Sequence, residues 1–397
     1  MLRFGARWRD SLWTTPGDEA WRRREQARRR REYTLQAVLI LLLVGVLAAL
    51  SVNVAENLEA KNIRNGFEFL FGRAGFDIGE KLLPFTSADQ LWRAFLIGLL
   101  NTLHVSVLSI LTATVLGIVV GVMRISRHPG LRFLGAAHVE VYRNVPLLVL
   151  LLAIYLTITE LLPGVRDAWS LGDWIYLSKT GLLYAVPQLG GWAMAAFALV
   201  GAAAGFGAWK VTLRRQPALI AGVAAAGAFV LAGFAAWLTV GFAFGWDAPV
   251  ATRFSMRGGA AVTPEFLALW VGLTMFTSAS IAEIVRAGVA AVRPGQWDAG
   301  LALGLTRLET VSYVIFPQSM RLAIPPLASQ YMNLTKNSSL AVMVGYPDLV
   351  NIANTTINVS AQALEVICII MGVYLTVNLL IAVVMNAVNK LVMRAPQ

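Results

Sequence analysis

Charge is scarce in this sequence. Only 14% of its 397 residues are Asp, Glu, Lys or Arg, against 57% that are apolar, too little polar surface to cover a soluble globule of that length. Cysteine is nearly absent: Cys368 stands alone inside a hydrophobic run, which excludes an intrachain disulfide and leaves no thiolate cluster for a metal or redox centre. Its simplest role is that of a small apolar residue in a helix. The three histidines, His104, His128 and His138, lie in unrelated settings, so no metal site and no resident cofactor is expected. A glycine-rich phosphate loop is also lacking, so the chain cannot be an ATPase, and no catalytic residue is expected. Energy for any driven process must come from another subunit.

What the sequence has in abundance is long apolar runs. Crossing a hydrocarbon core of about 30 Å takes roughly 20 helical residues. Runs of that order fall near 35–54, 92–123, 145–162, 189–209, 218–244, 265–288 and 364–389, with a more polar eighth near 323–345. The fold class is therefore all-α, a polytopic membrane protein of about eight transmembrane helices. Residues 1–54 also invite comparison with a cleavable signal, but the basic head is long and the apolar run exceeds an ordinary signal core, so a retained first helix is expected. Cytoplasmic loops keep positive charge. With the N-terminus inside, 23 of the 33 Lys and Arg fall on the cytoplasmic side, ten of them arginines before residue 33. Both termini are thus expected in the cytoplasm. The net charge of +11 then reports topology and attraction to anionic lipid rather than nucleic acid, since the basic residues cluster at span ends.

Small residues mark helix contacts. Gly117 and Gly121 in the second run, and Gly201 and Gly205 in the fourth, have the spacing that lets helices approach closely in lipid. Asn101, Thr102 and His104 sit in the outer third of the second run, His104 as a helix-contact residue. The segment 55–91 carries Glu56, Glu59, Lys61, Arg64 and Glu68 with Gly and Phe punctuation, which suits an ordered external loop with a short interfacial helix.

Residues 283–320 hold charge, glycines and prolines between two apolar runs. Pro294-Gly295 breaks the preceding helix, Gln296–Leu303 reads as a short helix, and Gly304 supplies the left-handed residue that ends it. Ala299, Gly300 and Ala302 permit close approach, Trp297 and Leu301 are apolar anchors one turn apart, and Asp298 puts a carboxylate near the helix start. Glu283 and Arg286 are one turn apart and able to pair, either as part of a polar path or as a structural pair near the helix end. Further on, Lys336, Asn337, Ser338 and Ser339 interrupt an apolar span after Pro325-Pro326, a pattern tolerated in lipid where it lines a cavity or is buried in protein. Glu283, Asn333, Lys336, Asn337, Ser338 and Ser339 are the candidate pathway residues, Asn337 foremost because an amide can bond either end of a zwitterion.

These blocks resemble a known family. Asp298-Ala299-Gly300, three residues, Gly304, nine residues, then Val314-Ile315-Phe316-Pro317 keeps the spacing of the EAA loop of ATP-binding-cassette (ABC) importer permeases. The family form is Glu-Ala-Ala, three residues, Gly, nine residues, Ile-any-Leu-Pro, with near substitutes here. Arg124-Ile-Ser-Arg127, Arg143-Asn-Val-Pro146, Ala282-Glu283-Ile-Val-Arg286-Ala-Gly288 and Asn333-Leu-Thr-Lys336-Asn337-Ser338-Ser339 are similar to blocks of its amino-acid branch, about 130 residues in all. Between Pro163 and Pro264 the resemblance stops, and two Gly/Ala-rich runs read as an inserted hairpin, typical of the larger permease of general L-amino acid systems.

The resemblance implies a five-helix permease core with one leading and two inserted helices. The expected segments are a basic cytoplasmic 1–34, a first helix and periplasmic loop 35–91, a core part 92–162, an inserted loop and hairpin 163–264, and a second core part 265–397. It also implies an inner-membrane subunit of an ATP-driven L-amino acid importer, with a second homologous permease, two ATP-binding subunits and a periplasmic binding protein as partners. Trp297, Asp298, Ala299, Gly300, Leu301, Gly304 and Pro317 would couple to the ATPase. An ion-gradient-driven secondary transporter is the rival reading. It would want carboxylates within the spans, and apart from Glu283 and Glu365, both near span ends, the helices hold almost none.

Overall fold

A computed structural model describes residues 16–60, 66–188, 191–214, 216, 218–251 and 256–394. The chain divides into two units, Met1–Gly66 and Phe67–Gln397. The first is built on one helix, α1 (Pro16–Ala60), so the apolar run 35–54 continues directly from basic residues. From Leu35 to Val46 every side chain is exposed, a helix surface that only lipid or another apolar partner can cover. Lys61 and Arg64 lie outside the described residues.

The second unit begins with a 3-10 turn, Glu68–Phe71, in a loop pinned at Arg73 and Gln90. There follow α2 (Leu91–Ile125), α3 (Pro129–Asn144) and α4 (Leu147–Leu156), which runs on as a π-turn to Leu161. Strands β1 (Trp169–Leu171), β2 (Ile175–Ser178), β3 (Gly181–Tyr184) and β4 (Val186–Pro187) lead to a hairpin of α5 (Gly191–Leu213) and α6 (Ala218–Phe244). Strands β5 (Trp246–Asp247), β6 (Val250–Ala251), β7 (Met256–Arg257) and β8 (Ala260–Val262) bring the chain back to α7 (Pro264–Ala290). The rest comprises α8 (Pro294–Ala302), α9 (Arg307–Glu309), a π-turn Thr310–Ile315, α10 (Phe316–Asn337), a 3-10 turn Ser338–Val344, α11 (Leu349–Ser360) and α12 (Ala363–Arg394).

Among the described residues, α2, α5, α6, α7 and α12 are long and apolar enough to cross a membrane. The pair α3 and α4, bent by 103°, makes a sixth if it is counted as one span. The bend falls at Val145-Pro146, where proline bars helical backbone in the residue before it. The eighth run, expected over 323–345, is placed differently. Its helix, α10, starts earlier at Phe316 and stops at Asn337, and the remainder winds into the tighter turn that ends at Gly345, φ +82°.

The centre of the unit is the α2–α7 pair, and glycine sets its spacing. A Cβ on Gly117 would lie 2.6 Å from Cβ of Ile281, and one on Gly121 would lie 2.8 Å from Cβ of Val285. The stripe read from the sequence is therefore a contact surface, as expected for small residues four apart. Thr112 and Thr274 join hydroxyls across the pair at 2.7 Å. Helix α7 starts on Thr263, whose hydroxyl accepts the Phe266 N–H at 3.2 Å, with Pro264 in the first helical position and Glu265 behind it, all favourable at a helix N-terminus. Around the Pro264 end of α7, Val105, Leu151, Phe266, Leu269, Leu273 and Tyr346 form a buried core.

The hairpin packs mostly on itself. Gly201 and Gly205 face Phe229 and Ala225, Gly233 faces Phe197, and Phe197 meets Phe229 edge to face at 5.7 Å. Leu199, Leu231 and Phe242 are largely exposed on its outside. The flanks expected to be loop contain strands instead: β1, β2, β3 and β8 form an antiparallel sheet, and β4 pairs with β5.

Candidate functional site

Helix α8 starts on Pro294 itself, two residues before the expected Gln296, because proline at the first helical position loses no hydrogen bond there. It ends at Ala302 as the glycine pattern requires. Gly304 has φ +78°, its N–H donates to the Leu301 carbonyl at 3.0 Å, and the Leu305 N–H reaches back to the Gly300 carbonyl at 3.1 Å. Both bonds of a Schellman stop are present. The next turn is fixed by a capping box in which Thr306 and Glu309 exchange bonds. Two hydrogen bonds from Thr306 hold the exposed Glu309 carboxyl below the usual range.

Two contacts brace this knob. Gly300 is buried, and a Cβ there would lie 2.6 Å from Cγ2 of Thr310, so α8 rests backbone-first on the π-turn. The Gln318 amide donates to Gln296 Oε1 at 3.0 Å, joining α8 to the first turn of α10, where Pro317 sits half-buried. Asp298 and Ala299 are exposed, and Asp298 stands in the second turn rather than at the start. Leu301 is 49% exposed, whereas Trp297 is half-buried and belongs to the support of the helix. Sequence reasoning missed Leu303 and Leu308, 80% and 65% exposed. Four leucines within the eight residues 301–308 were the available signal.

Helix α10 links the knob to the polar run. Asn333 and Lys336 are exposed and Asn337 half-buried, and spacings of three and four put them on one face. Ser338 and Ser339 turn inward on their own helix: their hydroxyls donate to the carbonyls of Thr335 and Lys336, each at 2.7 Å. The helix changes to a 3-10 turn at this point, so the break inferred from the polar run coincides with a real change of winding.

Glu283 pairs with Arg286, whose Nε donates to its Oε1 at 3.0 Å. It also takes a bond from Arg124 of α2, a partner that sequence reasoning missed. Gly117, Gly121 and Arg124 follow each other at four and three residues, the face of α2 that meets α7, and that register would have found it. At the other end of the pair, the Asn101 amide donates to the carbonyls of Glu80 and Pro347, both at 2.9 Å, and Thr102 accepts the Leu349 N–H at 3.0 Å. His104 lies against Phe266 with ring centroids 4.9 Å apart. Thr263 donates to Glu80 at 2.6 Å, and burial pushes the Glu80 carboxyl up against that bond. Among the described residues no cluster of His, Cys, Asp and Glu is arranged to hold a metal.

The putative amino-acid ABC transporter permease protein YhdX of Escherichia coli is 39% identical over 368 residues, 91% of this chain and 93% of its own length. The chain belongs to the amino-acid ABC transporter permease family. The general L-amino acid transport system permease protein AapQ of Rhizobium johnstonii is also 39% identical, over 89% of this chain and 90% of its own. BztB of Rhodobacter capsulatus, a glutamate/glutamine/aspartate/asparagine transport system permease protein, is 36% identical over 91% and 93%. No family model matches. Among solved structures, an amino acid ABC transporter with histidines aligns with 75% of this chain and 94% of its own at 20% identity, TM-score 0.45. Relatives of this length make the chain an inner-membrane, multi-pass permease subunit of an amino-acid ABC importer, and the ion-gradient reading is set aside.

Proposed function

We propose that this permease is the larger membrane subunit of a binding-protein-dependent importer of general or polar L-amino acids, and that α8 receives the stroke of a partner ATPase. Support comes from relatives named for general L-amino acid and for Glu, Gln, Asp and Asn transport that span nearly the whole chain. In this reading both termini and α8 lie in the cytoplasm, a second similar permease and two ATP-binding subunits complete the assembly, and a periplasmic binding protein delivers substrate.

The observation that carries the coupling role is the Gln296–Gln318 bridge. A push on Leu301 and Leu303 at the end of α8 cannot be absorbed in the loop, because Gly300 already touches Thr310 and α8 is tied to α10. The push passes along α10 to the face that holds Asn333, Lys336 and Asn337. An ammonium and two amides there suit the carboxylate and polar side chain of an amino acid, and the change of winding at Ser338 gives that face a hinge. ATP-driven closure would open the outer side, and hydrolysis would reset it.

The test is co-purification with the ATP-binding subunits and uptake of a panel of labelled amino acids in cells carrying all subunits. Leu301→Asp with Leu303→Asp should insert normally yet lose both the ATPase and uptake. Full retention of ATPase by that double variant would remove α8 from the coupling path.

A further inference from the structure

The end of the α2–α7 pair nearest α8 carries more positive charge than the protein neutralises. A cavity of about 480 Å³ opens there, lined by Arg124, Pro129, Arg132, Phe133, Ala136 and Arg286. Three guanidinium groups share one carboxylate, since Glu283 is the acid bonded to both Arg124 and Arg286 and no carboxylate among the described residues pairs with Arg132. Two positive charges are left over. The N-terminus of the 16-residue α3 opens on the same lip with no side chain capping it, adding the positive end of its dipole.

The surroundings are apolar. Phe133, in the cavity lining, is 71% exposed, and Leu131 and Leu134 of α3 and Val119 and Val122 of α2 are exposed as well. Gly135 fixes the geometry: a Cβ there would come within 2.9 Å of Cγ of Arg124, so α3 lies directly against the arginine stem. A basic cavity rimmed by bare hydrocarbon at the end of a membrane span selects for a ligand that is anionic at one end and apolar at the other.

We propose that this cavity binds the phosphodiester head of an anionic phospholipid, with its acyl chains along the open faces of α2 and α3. Only the leaflet, the inner one, rests on the orientation given above. Arg132 is the residue that discriminates, because its guanidinium has no ion-pair partner among the described residues to lose.

The test uses the full-length permease, with whatever subunits co-purify, in neutral detergent, and native mass spectrometry with added phosphatidylglycerol, phosphatidylcholine or inorganic phosphate. Phosphatidylglycerol should be retained in preference to phosphatidylcholine, and Arg132→Gln should weaken that retention about fivefold, the effect of one arginine at a lipid surface. Arg28→Gln, in the basic N-terminal helix, controls for general surface charge. Equal loss in both variants overturns the proposal, as does displacement of the lipid by millimolar phosphate, which would make this a free-anion site. Binding to the chain alone that vanishes when ATP-binding subunits are attached also overturns it, since the cavity would then be a protein contact. None of these readouts requires transport, so a failed coupling role leaves them interpretable.

Discussion

A single methyl group at Gly300 should uncouple this permease without unfolding it. The added Cβ would meet Thr310 Cγ2 at 2.6 Å and Oγ1 at 2.9 Å, well inside ordinary contact. Thr310 cannot swing aside freely, because it is wholly buried and its hydroxyl donates to the Thr306 carbonyl at 3.0 Å. Overpacking of this kind costs about 1–3 kcal/mol. Since about 1.4 kcal/mol is tenfold in an equilibrium, the seated position of α8 should become roughly 5- to 150-fold less populated. Gly300→Ala is therefore expected to insert and express, but to lose most substrate-stimulated ATPase activity and uptake in the reconstituted importer. Removing the obstacle should reverse this. With Thr310→Ala the nearest remaining atom is Cβ at 3.2 Å, so the double variant should recover most of the loss, short of the roughly 1 kcal/mol of the missing hydrogen bond. Gly304→Ala is the comparison, since its Cβ meets nothing within 4 Å and only φ +78° resists it. Wild-type uptake by Gly300→Ala, or a double variant no better than the single, would refute the packing argument.

Two further outcomes follow from the packing of α2 and the capping of α11. Gly117→Leu should fail to give a monodisperse protein, because Ile281 Cβ and the Ser278 carbonyl lie 2.6 and 2.9 Å from the new Cβ, while Gly372→Leu on α12 meets nothing within 4 Å; size-exclusion profiles that do not separate the two would contradict the α2–α7 contact. Asp348 caps α11 through the Asn351 N–H at 2.8 Å and is otherwise sealed from solvent, with its second oxygen unpartnered; burial pushes its pKa up to about 7. An acid whose pKa is raised on folding contributes stability at low pH that is lost as pH climbs from its unfolded value of 3.8 through about 7. Melting temperature should therefore fall over that interval, and fall less in Asp348→Asn, which keeps a capping oxygen; identical slopes would count against it.

How legible each part was depended on how local its cause is. The end of α8 was readable because one glycine at one position dictates the left-handed turn. That one face of α2 packs closely was readable because Gly117 and Gly121 advertise it by spacing, but its partner α7 was not. The strands flanking the hairpin were not, since pairs such as Val186–Asp247 and Leu182–Val262 join segments with two helices between them. The bond from Arg124 to Glu283 was legible only through the register of Arg124 with Gly117 and Gly121, and burial hid Trp297, which reads as an anchor until Leu301, Leu303 and Leu308 are seen to stand outside it. The length of α10 was misjudged because Pro325 and Pro326 suggest a start, whereas both are accommodated inside the helix.

The antiparallel pairing of Val186 and Pro187 with Asp247 and Trp246 sets the two feet of the α5–α6 hairpin about 5 Å apart. A segment that leaves and rejoins a chain at one doorstep can be excised and the gap closed by a tight turn, with neighbouring helices left in register. Deleting the hairpin would leave only that short gap to bridge, while the Thr310–Ile315 turn would lose the side of α6 that now touches it.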